Sequence, residues 1–395
     1  MNSKEIREKF VKFFEKNGHA IVHSSSLVPS NDPSVLFTTA GMQQFKPYYL
    51  GETSPHGKNL TSSQKCVRTS DIEEVGDMTH LTFFEMLGNF SFGGYWKKEA
   101  ITLAHEFITG ELGLTIDYVS VFRDDESGIP ADEESREIWA TIDPNLNIKD
   151  HKKEDNFWGP TGAEGPCGPT TEIYINGVEI WNIVFNEYFK NKEGQFTTLP
   201  QTGVDTGMGL ERLVIMMQGK ETIYETDLFA PLLLPLVSVQ GDDRSKRIIA
   251  DHIRTSVFMI SDGVTPSNTD RGYILRRLLR RAYVHARKLD LSTEIISALV
   301  KEVINHDSYK GLYAFSEEAQ RVIMWEIEKM QKGWEWGFRE VEKGEADPFI
   351  LYTRYGLPLE LIKEAIPDVD EEKFEKQMSE HKALSSRAGE HKFQK

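Results

Sequence analysis

Three stretches of the chain hold residue types that packing alone does not call for. The first reads Q-K-C-V-R-T-S-D-I-E-E-V-G and then H-L-T-F-F-E-M-L-G-N-F-S-F-G. It places Arg68 at a strand end, before an acidic loop and a returning strand. A guanidinium so placed presents a planar fork that can hold phosphate oxygens bidentately. The second reads D-N-F-W-G-P-T-G-A-E-G-P-C-G-P-T-T-E. Its Gly and Pro density from Gly159 to Pro169 predicts a shaped loop, with Trp158 at its mouth as an apolar wall for a very small side chain. The third, V-D-T-G-M-G-L-E-R-L-V-I-M-M, is a strand end, then Gly207 and Gly209, then a helix carrying Arg212 one turn in. Asp205 within it can take a substrate ammonium, a charge that needs an anionic partner once out of water. Singly, each stretch also suits a plainer role: a surface ion pair, a core tryptophan, a strand-to-helix turn. Together they suit a nucleotide and a small amphoteric substrate.

Other chemistries find no residues to carry them. There is no Walker-type phosphate loop and no Ser-His-Asp arrangement. His19 and His23 stand four apart, but in a segment that reads as strand or loop, where they lie roughly 13 Å from each other, too far to share a metal. Cys66 and Cys167 are the only cysteines, too few for a metal knuckle, and nothing in their use suggests an oxidising compartment. No apolar run is long enough to span a bilayer, and the charged N-terminus lacks a signal-peptide core, so a cytoplasmic address is expected.

At 395 residues the chain suggests two domains, perhaps three. A first helix is expected from Ser3, as its N-cap, to Asn17-Gly18, with Ile6, Phe10, Phe13 and Phe14 on one face. Extended segments and turns then run to about residue 205. The clearest hairpin is T-T-E-I-Y-I-N-G-V-E-I-W-N-I-V-F, turning at Asn176-Gly177. Its simple register puts Ile173, Ile175, Val178, Ile180, Asn182 and Val184 on one face, with Asn182 needing a buried partner or a ligand. Helix signals dominate from about residue 210. Residues 271–288 form an apolar seam of Leu275, Leu278, Leu279 and Ala282, flanked by Arg276, Arg277, Arg280 and Arg281. A helix over 317–343 carries Trp325, Trp334 and Trp336, read as packing anchors rather than base-stacking platforms. The last ten residues read as a polar linker. The net charge of −16 hides a basic segment from Arg244 to Lys288, with eleven Lys/Arg against three Asp, compatible with a polyanion-binding face. The charge changes sign near residue 240, where the domain boundary is expected (1–240 and 241–395).

In this order the motifs resemble the alanyl-tRNA synthetases, a class II family. S-S-S-L-V-P-S-N-D-P-S-V-L-F-T-T-A-G-M is similar to the first class II motif in its alanyl form. S-Q-K-C-V-R and F-F-E-M-L-G-N-F-S-F-G resemble the second, and V-D-T-G-M-G-L-E-R the third. E-I-W-N-I-V-F-N-E resembles the amino-acid pocket strand. A-D-H-I-R-T and D-G-V-T-P-S-N-T-D-R-G-Y-I-L-R-R-L-L-R-R-A are similar to the tRNA-recognition region. The resemblance implies an α+β fold: an antiparallel sheet flanked by helices, then a mostly helical acceptor-stem domain. It implies that Arg68 holds the α-phosphate of ATP and that Arg212 covers the adenine and reaches the terminal phosphate. Trp158, Asn182 and Asp205 would line the alanine pocket, and Ile180, Trp181, Asn182 and Gly209 the nucleotide wall. The implied reaction forms alanyl-adenylate from L-alanine and Mg-ATP, then transfers alanine to the terminal ribose of tRNA(Ala).

Three departures from the family pattern stand out. The loop after Arg68 is short, closer to archaeal forms, and leaves only His80 before L-T-F-F as an ATP contact. Thr353 stands where many members have an Asp that helps read the acceptor-stem G·U pair, while its partner Asn268 is present. The editing domain with its zinc ligands and the C-terminal oligomerisation region are not seen, so no zinc, a monomer, and some activation of serine and glycine are expected. Two other readings remain open on sequence: a synthetase-derived RNA-binding protein without catalysis, and an alanine-activating enzyme that loads a carrier protein.

Overall fold

Alternation of apolar and polar residues in the first half closes into one nine-stranded sheet in the computed structural model. It describes residues 1–390 except 31–34, 71, 161, 163, 317 and 345–346, and only the backbone of 360 and 382–390. The strands are β1 (Ala20–Ile21), β2 (Asn59–Val67), β3 (Phe83–Phe92), β4 (Tyr118–Phe122), β5 (Ile148–His151), β6 (Phe157–Trp158), β7 (Gly165–Ile175), β8 (Val178–Lys190) and β9 (Phe196–Gly209). Their order is β1-β2-β3-β9-β8-β7-β4-β5, with β6 beside β7. The expected antiparallel sheet is present in its centre, with a parallel pair at each end, β1/β2 and β4/β5.

The helices of the first half are α1 (Ser3–Lys16), α2 (Lys46–Tyr49), α3 (Lys97–His105), α4 (Glu133–Ile142), α5 (Lys153–Asn156), α6 (Leu210–Gln218) and α7 (Ala230–Leu233). Then follow α8 (Asp243–Ser261), α9 (Asp270–Lys288), α10 (Thr293–Asn305), α11 (Glu318–Glu342), α12 (Pro348–Tyr355), α13 (Leu359–Ala365) and α14 (Glu371–Glu390). Asn2, not Ser3, caps α1, in a reciprocal box with Glu5, because the Ser3 hydroxyl is turned to Asp227 and Ser308. α3 and α4 fall where only strands and turns were expected. Their apolar stripes are short, and Lys97 is buried against Asp132 at 2.6 Å rather than facing water. The expected terminal linker is helical as far as Glu390, and residues 391–395 lie outside the described residues. Part of the first class II motif, residues 31–34, lies outside them too.

Strand alternation gives the sheet two different faces. Phe83 and Leu87 of β3, Trp181, Ile183 and Phe185 of β8, and Val204 and Met208 of β9 join the main core. α1, α3, α6 and α8 cover that face. The opposite face carries a small cluster around Met42, Phe45, Tyr49 and Phe90, with Trp158 packed against it. The main core continues across residue 240 without a break, through Phe83 stacked on Phe258 at 3.9 Å.

Buried charge ties the two halves together. Arg254 of α8 is fully buried and donates to Tyr309 Oη at 2.7 Å, the Phe83 carbonyl at 2.9 Å and Glu211 Oε1 at 2.8 Å. Glu211, at the start of α6, also accepts the Glu85 backbone N–H. Glu85 in turn takes a bidentate pair from Arg7 of α1 at 2.8 and 2.6 Å and the Tyr313 hydroxyl at 2.7 Å. Removing one partner of such a pair leaves a bare buried charge, at a cost of about 3–5 kcal/mol. Arg254→Met is therefore expected to lower urea-measured stability by about that amount, and adding Glu211→Gln to recover part of it. A loss within ordinary surface scatter would show that the halves are held by apolar packing alone.

Candidate active site

The pocket opens on the face of the sheet away from α1. One register fault makes it. Ile175 opposes Val178 and Tyr174 opposes Glu179, but Ile173 opposes Trp181, so Ile180 is an extra residue on β8. The bulge reverses the faces expected from a simple hairpin. Ile173 and Trp181 turn into the core, where Trp181 meets Phe10 at 5.7 Å and Phe14 at 6.2 Å. Trp181 is thus not in the nucleotide wall. Ile180, Asn182 and Gly209 do line the cavity, whose volume is about 290 Å³. The Gly159–Pro169 stretch is also not all loop. From Gly165 it is β7, bulged between Cys167 and Thr170, and a Cβ on Gly168 would stand 1.8 Å from the Phe185 carbonyl oxygen.

Asp205 lies on the pocket face of β9, across from Phe90 and Val184. It is 5% exposed, and burial pushes its carboxyl up to about 8. Among the described residues no side chain or backbone N–H pairs with it. Asn182 stands two residues from Val184 on β8. Its Nδ2 donates to Glu172 Oε1 at 2.9 Å, while its Oδ1 is buried without a partner. Of the two answers offered by the sequence, the partner is found: it is Glu172. Glu172 was missed. Burial raises it to about 7, and it takes the Tyr174 hydroxyl at 2.6 Å. The strand pattern T-T-E-I-Y-I put it on the polar side, but only the bulge sets it opposite Asn182.

The cationic groups stand at the rim. Arg68 donates from Nε to the Thr39 carbonyl at 3.2 Å and lies over the Phe84 ring at 5.1 Å, an exposed side chain held flat. Arg212 is tied by Nη1 to both the carbonyl and the carboxylate of Glu179 at 2.9 Å. Glu179 is a second missed residue, one that the hairpin turn does not reveal. His80 is on the lining and bonds Asp77 Oδ2 through Nδ1 at 2.6 Å. Trp158 closes the apolar side. Among the described residues no cluster of three or more His, Cys, Asp or Glu could hold a metal ion by itself, and no helix is long and apolar enough to cross a membrane. His19 is a core histidine, between the Phe14 carbonyl at 3.1 Å and the Tyr95 hydroxyl at 2.9 Å.

A second groove, of about 880 Å³, lies on the helical half. It gathers Asn268, Arg276, Arg280 and Thr353. Arg277 and Arg281, expected on the same face, turn instead to Glu73 of the loop after Arg68, because a helix sets i+1 about 100° away. Of the three tryptophans, only Trp334 is a packing anchor, donating to the Gly356 carbonyl at 2.9 Å. Trp325 and Trp336 are 57% and 60% exposed and line the groove.

The sequence pattern of the family "tRNA synthetases class II (A)" matches residues 5–395. An "Alanine--tRNA ligase" of Borrelia hermsii is 39% identical over 447 residues, covering 100% of this chain and 74% of that protein. One of Treponema denticola is 41% identical over 444 residues, covering 98% and 73%. The solved structure of Desulfitobacterium hafniense PylSc, a pyrrolysyl tRNA synthetase, gives a TM-score of 0.36 at 14% identity, covering 56% of this chain and 71% of that one.

Asp205 has a consequence that needs no ligand. An unfolded chain loses its carboxyl proton near pH 4, whereas the folded protein keeps it to about 8. Folding is therefore weakened as pH rises across that window. Asp205→Asn carries no such penalty. Its stability relative to the parent should grow by up to about 1.4 kcal/mol per pH unit from pH 5 to 7, read from denaturant midpoints. A pH-independent difference would mean that the carboxyl is already ionised.

Proposed function

The chain belongs to the class II tRNA synthetases and joins alanine to tRNA, and we propose that the buried carboxylate of Asp205 is its alanine anchor. The observation that supports this is a largely buried carboxyl, without a protein counter-charge among the described residues, in a pocket between a cationic rim and Trp158. An ammonium supplies the missing charge. Trp158 then bounds the space left for the alanine methyl, and Asn182 Oδ1 accepts a second ammonium N–H.

Class II synthetases use ATP and Mg²⁺. Arg68 meets the α-phosphate, its outer nitrogens free once Nε is fixed on Thr39. Arg212 is released from Glu179 to cover the adenine and reach the terminal phosphate, and His80 adds a contact at the loop. Ile180 and Gly209 form the nucleotide wall. One pocket carboxylate with substrate phosphates fits the usual magnesium shell, and Glu179 would be the residue to hold it, since Glu211 is committed to Arg254. The ion supplies charge neutralisation on the phosphates. The alanine carboxylate attacks the α-phosphorus in line and pyrophosphate leaves. The terminal ribose hydroxyl of tRNA then attacks the adenylate carbonyl and AMP leaves. No side-chain nucleophile takes part, because orientation and charge matching lower both barriers.

Residues 1–240 are proposed as the activating unit and 241–395 as the acceptor-stem unit. In the groove the Arg276 guanidinium donates to Asn268 Oδ1 and to Glu326 Oε1, the latter at 2.6 Å. The amide must then turn its NH₂ outward as a donor. The Thr353 hydroxyl gives its proton to the Phe349 carbonyl at 2.7 Å, so towards a ligand it only accepts. A donor and an acceptor in one shallow groove suit the minor-groove edge of an RNA stem. RNA is favoured over a carrier protein by this basic groove, and catalysis over a silent binding role by the intact Arg68, Asp205 and Arg212.

Two variants test the reading together. Asp205→Ala should abolish alanine-dependent pyrophosphate exchange, a loss of about 2–5 kcal/mol in the alanine interaction, with ATP binding kept. Arg276→Ala with Arg280→Ala should weaken tRNA binding and lower its salt slope, while exchange persists. Near-normal exchange in Asp205→Ala would remove alanine from this pocket.

A further inference from the structure

The loop after Arg68 is held from outside, by the helical half. Arg277 Nη2 donates to Glu73 Oε1 at 2.5 Å, and Arg244 Nη2 to the Glu73 carbonyl at 3.0 Å. Arg281 Nη2 donates to the carbonyls of Glu73 and Val75, both at 3.2 Å. Gly76, at φ +113°, sits so close beneath that a Cβ would lie 2.7 Å from Arg244 Cγ and 2.8 Å from Ile248 Cγ1. Three arginines of the basic segment thus grip one short loop, Arg244 and Arg277 from the solvent side and Arg281 from beneath.

Under the grip runs a chain of defined polarity. Arg281 Nη1 lies 2.9 Å from His252 Nε2. A guanidinium only donates, so Nε2 accepts and the ring proton sits on Nδ1. Nδ1–H donates to Asp251 Oδ2 at 2.8 Å. The other oxygen of Asp251 accepts the Thr82 N–H at 3.0 Å, and the Thr82 carbonyl accepts the Arg68 N–H at 3.0 Å. His252 is fully buried; burial and the neighbouring Arg281 charge outweigh Asp251 and hold its pKa below the ordinary value, which keeps the ring neutral as this polarity requires. Five residues therefore connect the acceptor-stem helix α9 to the strand end that carries the phosphate-facing guanidinium.

We propose that Arg281 and His252 are positioning residues for ATP, fixing Arg68 and its loop through Asp251 and Thr82, so that α9 links the tRNA side of the molecule to the nucleotide side. The inference rests on Arg68 meeting the ATP phosphate. It divides Arg276, Arg277, Arg280 and Arg281 of α9 into two pairs, with Arg276 and Arg280 facing the groove while Arg277 and Arg281 hold the ATP loop.

The test is alanine-dependent pyrophosphate exchange without tRNA, with the full chain. Arg281→Met should raise the KM for ATP by about 3–30-fold and leave the KM for alanine within about twofold. Glu73→Gln, at an exposed position, should raise the same KM by a smaller factor. In an Arg68→Ala background the Arg281→Met effect should shrink towards none, since the guanidinium that the chain positions is already gone. Should Arg68→Ala leave the KM for ATP unchanged, the phosphate assignment itself falls. Should Arg68→Ala raise it while Arg281→Met and Glu73→Gln do not, that assignment stands and the positioning chain is overturned. Equal rises for ATP and alanine in Arg281→Met would likewise overturn it, marking a general loss of structure.

Discussion

A charge taken out of water must be matched, and that constraint organises this molecule. Arg7 with Glu85, Arg254 with Glu211 and Lys97 with Asp132 each place a buried cation on a buried carboxylate, and buried Lys65 meets a partly buried Asp262. None of these pairs is local: each joins elements far apart in sequence. Against that background Asp205 has neither a cation nor a hydrogen-bond donor beside its carboxyl among the described residues, and it lies on the face of the sheet left open. The fold pairs its buried charges on one side and keeps a lone carboxyl in the pocket on the other.

The same pairs explain why the helical half is not a free appendage. α8 reaches the sheet through Arg254 on the Phe83 carbonyl, Asp251 on the Thr82 N–H, and Asp262, which follows the helix, on Lys65 and the Leu27 N–H at 2.6 Å. Each contact falls at an end of β2 or β3 or on the segment beside it, which are the strands that present Arg68. A rigid support for one guanidinium is what charge-based catalysis at phosphorus asks of a scaffold. The −16 net charge says little about this, because the basic segment is partly spent inside the molecule.

Much of this was legible in the residues. Arg68 at a strand end, Asp205 before Gly207 and Gly209, the helix carrying Arg212, and α9 with its apolar seam all follow from local pattern, and all are found. What escaped depends on non-local geometry. A single extra residue at Ile180 reversed which side of β8 meets the core, so Trp181 exchanged places with Asn182 relative to a simple hairpin. β7 keeps its pairing through Gly168 and a bulge where Gly and Pro density argued for loop. Arg277 and Arg281 point at Glu73 because α8 and α9 pack beside a loop remote in sequence, which no window along the chain could show. Trp325 and Trp336 stay exposed because α11 has only one side covered.

On the proposed reading, Asp205 in the pocket holds a proton until an alanine ammonium replaces it. Calorimetry of alanine binding at pH 7, in buffers of different ionisation heat, counts protons directly. With a carboxyl near 8 when free and ionised when bound, about one proton should be released per alanine. Alanine binding with no proton released would contradict this account.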